Sequence, residues 1–375
     1  VTDPLGWLGE HAARREAQGL RRTVTVRDTG DVIDLAGNDY LGLSRHPAVV
    51  AAAIEATTTW GTGATGSRLV TGTTPAHVAL EERLAAFTGT AAALAFSSGY
   101  LANLGAVTAL ARRGDLVVSD RHAHASLVDA ARLSRARVVV TEHADVDAVA
   151  KVLADRAEPR ALVLTESVFS VDGDLAPLRD LHDCCRTYGA VLLVDEAHAL
   201  GVVGDGSGAV HAAGLSDQAD VVVTVTLSKA LGGQGGAVLG SAAVVAHLVD
   251  AARTFMFDTG LAPASAAAAT AALDVLAATP DLPRRARANA RAIAAAARAA
   301  GLEVTTPYAA VVSVPMPSPE AAIAAAQRMR TYGVRVGAFR PPSVPDGISR
   351  LRLTARAGLS EQDLATVATA LRAAG

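Results

Sequence analysis

Residues 191–229 read VLLVDEAHALGVVGDGSGAVHAAGLSDQADVVVTVTLSK. Two apolar runs, Val191 to Val194 and Val221 to Thr226, stand at its ends, and each is followed at once by residues that carry chemistry: Asp195 and His198 after the first, Ser228 and Lys229 after the second. Runs of the same kind recur at Ala91 to Phe96, Leu116 to Ser119, Val138 to Thr141, Ala161 to Thr165 and Ala237 to Leu239, separated by helix-length stretches. A strand that is apolar throughout has no solvent face, so the pattern predicts an α/β fold whose mostly parallel sheet is covered by helices on both sides. In such sheets ligands sit beyond the carboxyl ends of the strands.

Outward from this block, residues 1–45 read as an N-terminal arm, with an amphipathic helical start (Leu5, Leu8, Ala12, Ala13) and short extended pieces at Val24 to Val26 and Val32 to Leu35. Residues 46–258 form the large domain, and residues 259–375 a helical connection and a small α+β C-terminal domain. In the last segment Pro280 and Pro283 break an alanine-rich helix, and a long helix then runs to Gly301. Strands are expected at Val311 to Val314, Val334 to Val336 and Leu351 to Thr354, with helices near Glu320 to Tyr332 and from Ser360.

Composition removes whole classes of function. The 375 residues are 50% hydrophobic and 19% charged, far from the composition of disordered chains. With 34 basic against 37 acidic residues the formal charge is -3, which gives no electrostatic case for binding nucleic acid or coating a membrane. The stretch Ala264 to Ala278 is too short to span a bilayer and is interrupted by Asp274. Asp3, Glu10 and the pair Arg14-Arg15 stand where a secretory signal needs an apolar block, so a cytoplasmic location is expected. Cys184 and Cys185 are adjacent and make neither a disulfide framework nor a zinc site, and no metal is expected.

Of the basic residues only Lys151 and Lys229 are lysine. Arginine serves everywhere else, so a lysine in a glycine-rich, uncharged stretch invites a chemical use: it can lose its proton and act as an amine nucleophile. Lys229 precedes Gly232-Gly233-Gln234-Gly235-Gly236, whereas Lys151 has the surroundings of a surface helix residue. The other strand ends hold Ser98-Gly99-Tyr100, His122 and His124, Glu166 and Ser170, and Thr226. One lysine, one aspartate and a glycine-opened helix are what pyridoxal phosphate requires: an amine for its aldehyde, a carboxylate for its ring nitrogen and backbone N–H groups for its phosphate.

On Asn38 to Leu43 (NDYLGL), Ser98-Gly99-Tyr100 with Asn103, Asp120 to Ser126 (DRHAHAS), Thr165 to Asp174 (TESVFSVDGD), Val194 to His198 (VDEAH), Thr226 to Lys229 (TLSK) and Arg340 to Thr354, the chain resembles the α-oxoamine synthase family of fold type I pyridoxal-phosphate enzymes. The resemblance implies that Lys229 joins the cofactor aldehyde, that Asp195 faces the ring nitrogen, that His198 and Ser170 contact the ring hydroxyl and that His124 stacks on the ring. Ser98, Gly99, Tyr100 and Thr226 match the phosphate cradle, Glu166 lies beside the cofactor, and Thr259 falls where a neighbouring subunit reaches the phosphate of a homodimer. Arg352 matches the arginine that holds an amino-acid carboxylate, and Arg21, Asn38 and Arg340 match positions around the substrates. Within the family the chain is most similar to the branch that condenses L-alanine with a pimeloyl thioester, carried by coenzyme A or a carrier protein. Sister synthases that use glycine and a shorter acyl thioester are the alternative. Glu196 and Ser228 depart from commoner relatives, and neither removes a required group.

Two other readings of these residues fail on sequence. Asp195-Glu196-Ala197-His198 also spells a magnesium box of some helicases, but neither lysine sits in the Gly-Lys-Ser/Thr context of a P-loop. Gly204 to Gly208 (GDGSG) lacks the strand-turn-helix setting of a dinucleotide fingerprint and is expected to be a flexible loop. His122 is assigned a structural role.

Overall fold

The computed structural model describes residues 3–375 except 25, 28, 29, 31 and 345. Thr25, inside the expected extended piece Val24 to Val26, and Pro345, inside the Arg340 to Thr354 motif, therefore lie outside the described residues. The apolar runs form one seven-stranded sheet: β1 (Ala92–Phe96), β2 (Leu116–Asp120), β3 (Arg137–Thr141), β4 (Ala161–Glu166), β5 (Val191–Asp195), β6 (Val221–Thr226) and β7 (Gly236–Gly240), in the order β1-β7-β6-β5-β4-β2-β3. Pairing is parallel from β3 through β6, and β7 runs antiparallel to both β6 and β1. Parallel neighbours need crossovers, which the helices Ala125–Ser134, Val146–Ala154 and Leu178–Thr187 help to provide.

Alternation along each strand feeds two separate cores. Leu116 and Val118 face one apolar cluster and Val117 the other; Val221, Val223 and Val225 are divided from Val222 in the same way. β2, β4 and β6 are buried at every residue, which is why they read as continuous apolar runs. β3 differs. It is the sheet edge, and Val138 and Val140 remain exposed although the sequence looks like that of its inner neighbours.

The alanine-rich helix Pro263–Ala278 packs on the helices Pro47–Trp60 and Pro75–Thr88, burying Ala266, Ala268, Ala269 and Ala272 in the large core. A third cluster lies under a small antiparallel sheet of β8 (Val311–Pro315), β9 (Gly337–Phe339) and β10 (Arg350–Thr354), in the order β9-β10-β8. The strand expected at Val334 to Val336 is divided: Val334–Arg335 pairs in parallel with Ile33–Asp34 of the arm, and the chain then enters β9. Leu35 joins the third cluster, so the arm is stitched to the small unit, whereas its helix Trp7–Ala17 buries no residue.

The GDGSG stretch is a fixed turn, not a flexible loop. Gly201 donates to the Gly206 carbonyl at 2.7 Å, and the Glu196 Oε1 accepts from the backbone N–H groups of Ala209 and Val210 at 2.8 and 2.9 Å. Burial pushes the Glu196 carboxyl up to about 7, and those amides pull against it. Its carboxylate is thereby committed to capping the short helix Ala209–Ala212. Among the described residues no helix is long and apolar enough to cross a membrane.

Candidate active site

The carboxyl ends of β4, β5 and β6 converge with the start of the helix Gly99–Leu110 on two adjoining cavities. The inner, of about 240 Å³, is lined by Ser98, Gly99, Tyr100, Asn103, Glu166, Asp195 and Thr226. The outer, of about 570 Å³, is lined by Asn38, His122, Ser170, Phe339, Ser343 and Arg352. His124, His198 and Lys229 line both.

Asp195 ends β5 and is buried, with Oδ1 accepting from the Ala197 N–H at 2.8 Å and Oδ2 from Asn103 Nδ2 at 2.7 Å. Asn103 is fixed in turn by the Thr224 hydroxyl at 2.6 Å and donates to Ser126 Oγ at 2.8 Å. With its oxygen receiving Asn103, the Ser126 hydroxyl donates to His124 Nδ1 at 2.7 Å, and the Ser126 N–H reaches the same nitrogen at 3.3 Å. The proton of the neutral imidazole therefore sits on Nε2. Burial lowers the pKa of His124, so the ring stays uncharged.

A second chain of contacts runs from the amine outward. Lys229 Nζ lies 2.7 Å from His198 Nε2, His198 Nδ1 lies 2.6 Å from the Tyr40 hydroxyl, and that hydroxyl donates to Asn38 Oδ1 at 3.1 Å. Arg352 donates to the same Asn38 oxygen at 3.1 Å and to the Ser170 carbonyl at 2.7 Å, its guanidinium 5.1 Å from the centre of the Phe339 ring. Burial, joined by the charges of Lys229 and Arg352, drives His198 well below the ordinary histidine range. Burial also brings Lys229 down to about 8, against the attraction of Asp195. The amine is thus close to the point where it becomes a nucleophile near neutral pH.

The inner wall is suited to an anionic group. Ser98 caps the helix by accepting from the Leu101 N–H at 3.2 Å, which leaves the first amides of the helix facing the cavity. Gly236 of β7 passes so close that a Cβ on it would stand 2.5 Å from the Gly99 Cα, so only glycine admits this approach. Tyr100 lines the cavity, but its hydroxyl donates to Asp129, which leaves its backbone N–H as the group it could offer an anion there. Glu166 is buried opposite Asp195, its Oε1 without a hydrogen-bond partner among the described residues. Burial and, next, the Asp195 charge push its carboxyl well above the ordinary range, and the residue lines the inner cavity. A carboxylate, an amine, an orphaned carboxyl and a helix start around one space fit pyridoxal phosphate.

Not every expected residue arrives. Arg21 and Arg340 line neither cavity: the exposed Arg21 guanidinium pairs with Glu16 at 2.6 Å, and Arg340 donates to the Arg21 carbonyl at 2.7 Å, so the two tie the arm to the small unit. Thr259 is exposed and also outside both cavities; its neighbour Asp258 accepts from Ser97, beside the cradle. His122, assigned a structural role from sequence, lines the outer cavity. Asn103, Ser126, Tyr40 and Ser343 enter the site without having been singled out for a role, although all four stand inside the quoted motifs.

The model of the family described as aminotransferase class I and II matches residues 30–371. The chain belongs to this family, within the fold type I pyridoxal-phosphate transferases. It is 59% identical over 364 residues to 8-amino-7-oxononanoate synthase of Mycolicibacterium gilvum, covering 96% of this chain and 95% of that one. Among solved structures, a lysine-to-alanine variant of serine palmitoyltransferase from S. paucimobilis with bound PLP and myriocin aligns with a TM-score of 0.92 at 31% identity, covering 100% of this chain and 98% of that one. The 8-amino-7-oxononanoate synthase of Francisella tularensis aligns with a TM-score of 0.77 at 25% identity, covering 91% and 97%.

Proposed function

We propose that this chain is a pyridoxal-phosphate-dependent acyltransferase that condenses L-alanine with a pimeloyl thioester, giving 8-amino-7-oxononanoate, carbon dioxide and free thiol for biotin synthesis. The observation that carries the reading is one cavity lined by both Lys229 and Arg352, in a chain 59% identical to a protein of that name. Bound pyridoxal phosphate supplies an electron sink for the α-carbon of the amino acid. Asp195, held by Asn103 and Ala197, presents its charge where the ring nitrogen would lie. Glu166, Ser170 and His198 would border the ring, His124 would lie against its face, and Ser98, Gly99, Tyr100 and Thr226 would hold the phosphate. Lys229 takes the α-proton of alanine and later returns one to the same carbon, after the new carbon–carbon bond has formed and the carboxylate has left. Arg352, with Asn38 beside it, offers a planar fork to that carboxylate.

In this reading the protein is a cytoplasmic homodimer in which Thr259 reaches the partner's phosphate site, and Arg21 and Arg340 approach the substrates once the arm is seated. Segments 1–45, 46–258 and 259–375 are its arm, its cofactor-binding unit and its connection with the small unit. Product analysis with alanine or glycine against pimeloyl, succinyl and acetyl thioesters tests the function. Alanine with pimeloyl thioester should dominate; preferred use of glycine and a short acyl group would move the chain to a sister synthase.

A further inference from the structure

His143 has both ring nitrogens engaged by carboxylates, Nδ1 at 3.0 Å from Asp120 and Nε2 at 2.8 Å from Asp174. Two acceptors require two donors, so the ring is an imidazolium. Burial alone would lower its pKa, but the hydrogen bonds to Asp120 and Asp174 carry it up to about 10. Asp120 also accepts from the backbone N–H groups of His122 and Ala144 at 2.7 and 2.8 Å, which locks the platform to the loop that follows β2. Phe169 closes the side of the platform, edge-on to His143 at 4.3 Å between ring centres.

On this platform lies His122, its ring 4.0 Å from that of His143 at an interplanar angle of 18°. Burial and then the cation beneath it keep His122 below the ordinary histidine range, so it is a neutral imidazole with one N–H and one lone pair. Neither ring nitrogen is hydrogen-bonded to any described residue, and the ring lines the outer cavity with Arg352, Lys229 and His124. A clamped cation beneath a ring whose own polar edge is unused in the protein holds that edge for something in the cavity. The groups nearest the amine are already assigned: Arg352 to a carboxylate, Lys229 to the α-carbon.

We propose that His122 is a binding residue for the acyl thioester, hydrogen-bonding a neutral carbonyl or amide of that substrate, with His143 as its positioning residue. The inference rests on the acyltransferase reading above and deepens it. A neutral donor and acceptor suits the thioester carbonyl or an amide of the carrier arm, not the amino-acid carboxylate.

The test uses the holoenzyme with whichever thioester the unaltered protein turns over, so a wrong acyl assignment is seen in the unaltered protein and is separate from a failure here. His122→Phe keeps a flat ring for stacking and removes both nitrogens; His122→Gln restores a donor and an acceptor. Expected for His122→Phe is a rise in KM for the thioester of about three- to tenfold, the equivalent of one neutral hydrogen bond. The alanine dissociation constant and the visible spectrum of the bound cofactor should stay unchanged, and His122→Gln should recover most of the loss. His143→Gln should raise the same KM without moving alanine affinity. A shorter thioester that keeps the carbonyl and lacks the arm amides distinguishes the two acceptors: an equal loss with both thioesters assigns the carbonyl, a loss only with the full-length arm assigns an amide. An unchanged thioester KM in His122→Phe, or a loss expressed in alanine binding or the cofactor spectrum, overturns the proposal. If His122→Phe fails to fold, a His122→Gln that is folded and as impaired as His122→Ala overturns it as well.

Discussion

The inner cavity is walled by strand ends and a helix start of one sheet, whereas the outer borrows residues 38, 121–132, 170 and 339–352 from the arm, two loops, the helix Ala125–Ser134 and the small unit. In the inner one Asp195 is reached by Asn103 and Ala197, and Asn103 is itself held by Thr224 on the next strand, so the charge that governs chemistry is fixed by the sheet. In the outer one Arg352 reaches Asn38 and the Ser170 carbonyl, so its position depends on how the small unit docks. The difference teaches that inner changes should alter reaction rate, and outer ones affinity.

The largest effect should come from Lys229→Ala, which removes the amine common to both cavities. Positioned proton transfer is worth roughly 10² to 10⁴ in rate, and turnover should fall by at least about 10³. Borohydride reduction of the unaltered holoenzyme should fix the cofactor on the peptide containing Lys229; a label on Lys151 would sink the assignment.

Arg352→Lys comes next, as an outer change. A hydrogen bond to a charged group is worth about 1.5 to 3 kcal/mol, so alanine should bind ten- to a hundredfold more weakly, with little change for the thioester. Unchanged alanine binding, followed by absorbance of the bound cofactor, would assign the arginine elsewhere.

A pH series probes the inner cavity again. Burial holds the Lys229 amine at about 8 instead of its ordinary 10.5, so the neutral, reactive fraction grows with pH up to that value. The rate at which cofactor attaches to cofactor-free protein should rise about tenfold from pH 7 and level off above about 8, since a one-unit gap leaves roughly a tenth of the amine neutral. The stability sign follows: the buried ammonium costs most below about 8 and the cost lifts as pH rises from there toward 10.5, a rise that Lys229→Met should flatten in urea unfolding. A rate flat from pH 7 to 9 would contradict the burial argument.

The smallest effect is expected where the cavities meet. Tyr40→Phe removes the hydroxyl between His198 and Asn38, a loss of about 0.5 to 1.5 kcal/mol, or roughly two- to tenfold in kcat/KM. Should it instead equal Arg352→Lys, the two cavities would be more tightly coupled than their separate walls suggest.

The sheet was readable because burial on both faces writes itself into continuous runs such as Val221 to Thr226. At β3 the same composition sits exposed at an edge, and nothing in Val138 to Thr141 distinguishes an edge from a centre. Lys229, Asp195 and His198 were legible from residue type after a strand. Tyr40 and Asn103 were not, since each acts through partners far off in sequence: Tyr40 lies 158 positions from His198, and Asn103 lies 92 from Asp195. Asp120, His143 and Asp174 stand in three separate stretches, and only the packed loops show that they serve His122.

The turn that carries Lys229 joins β6 to its antiparallel neighbour β7 through residues 227–235. Its feet are tied at Thr226 opposite Gly236 and by Leu227 donating to the Gly235 carbonyl at 2.9 Å, and Gly233 donates back to the Leu227 carbonyl at 3.0 Å. The amine therefore rides on a closed loop of fixed circumference. Adding a residue there would not lengthen a surface excursion; it would have to be absorbed between those feet and would move Lys229 relative to Asp195. The place of the reactive nitrogen is kept by the count of residues between those tied feet.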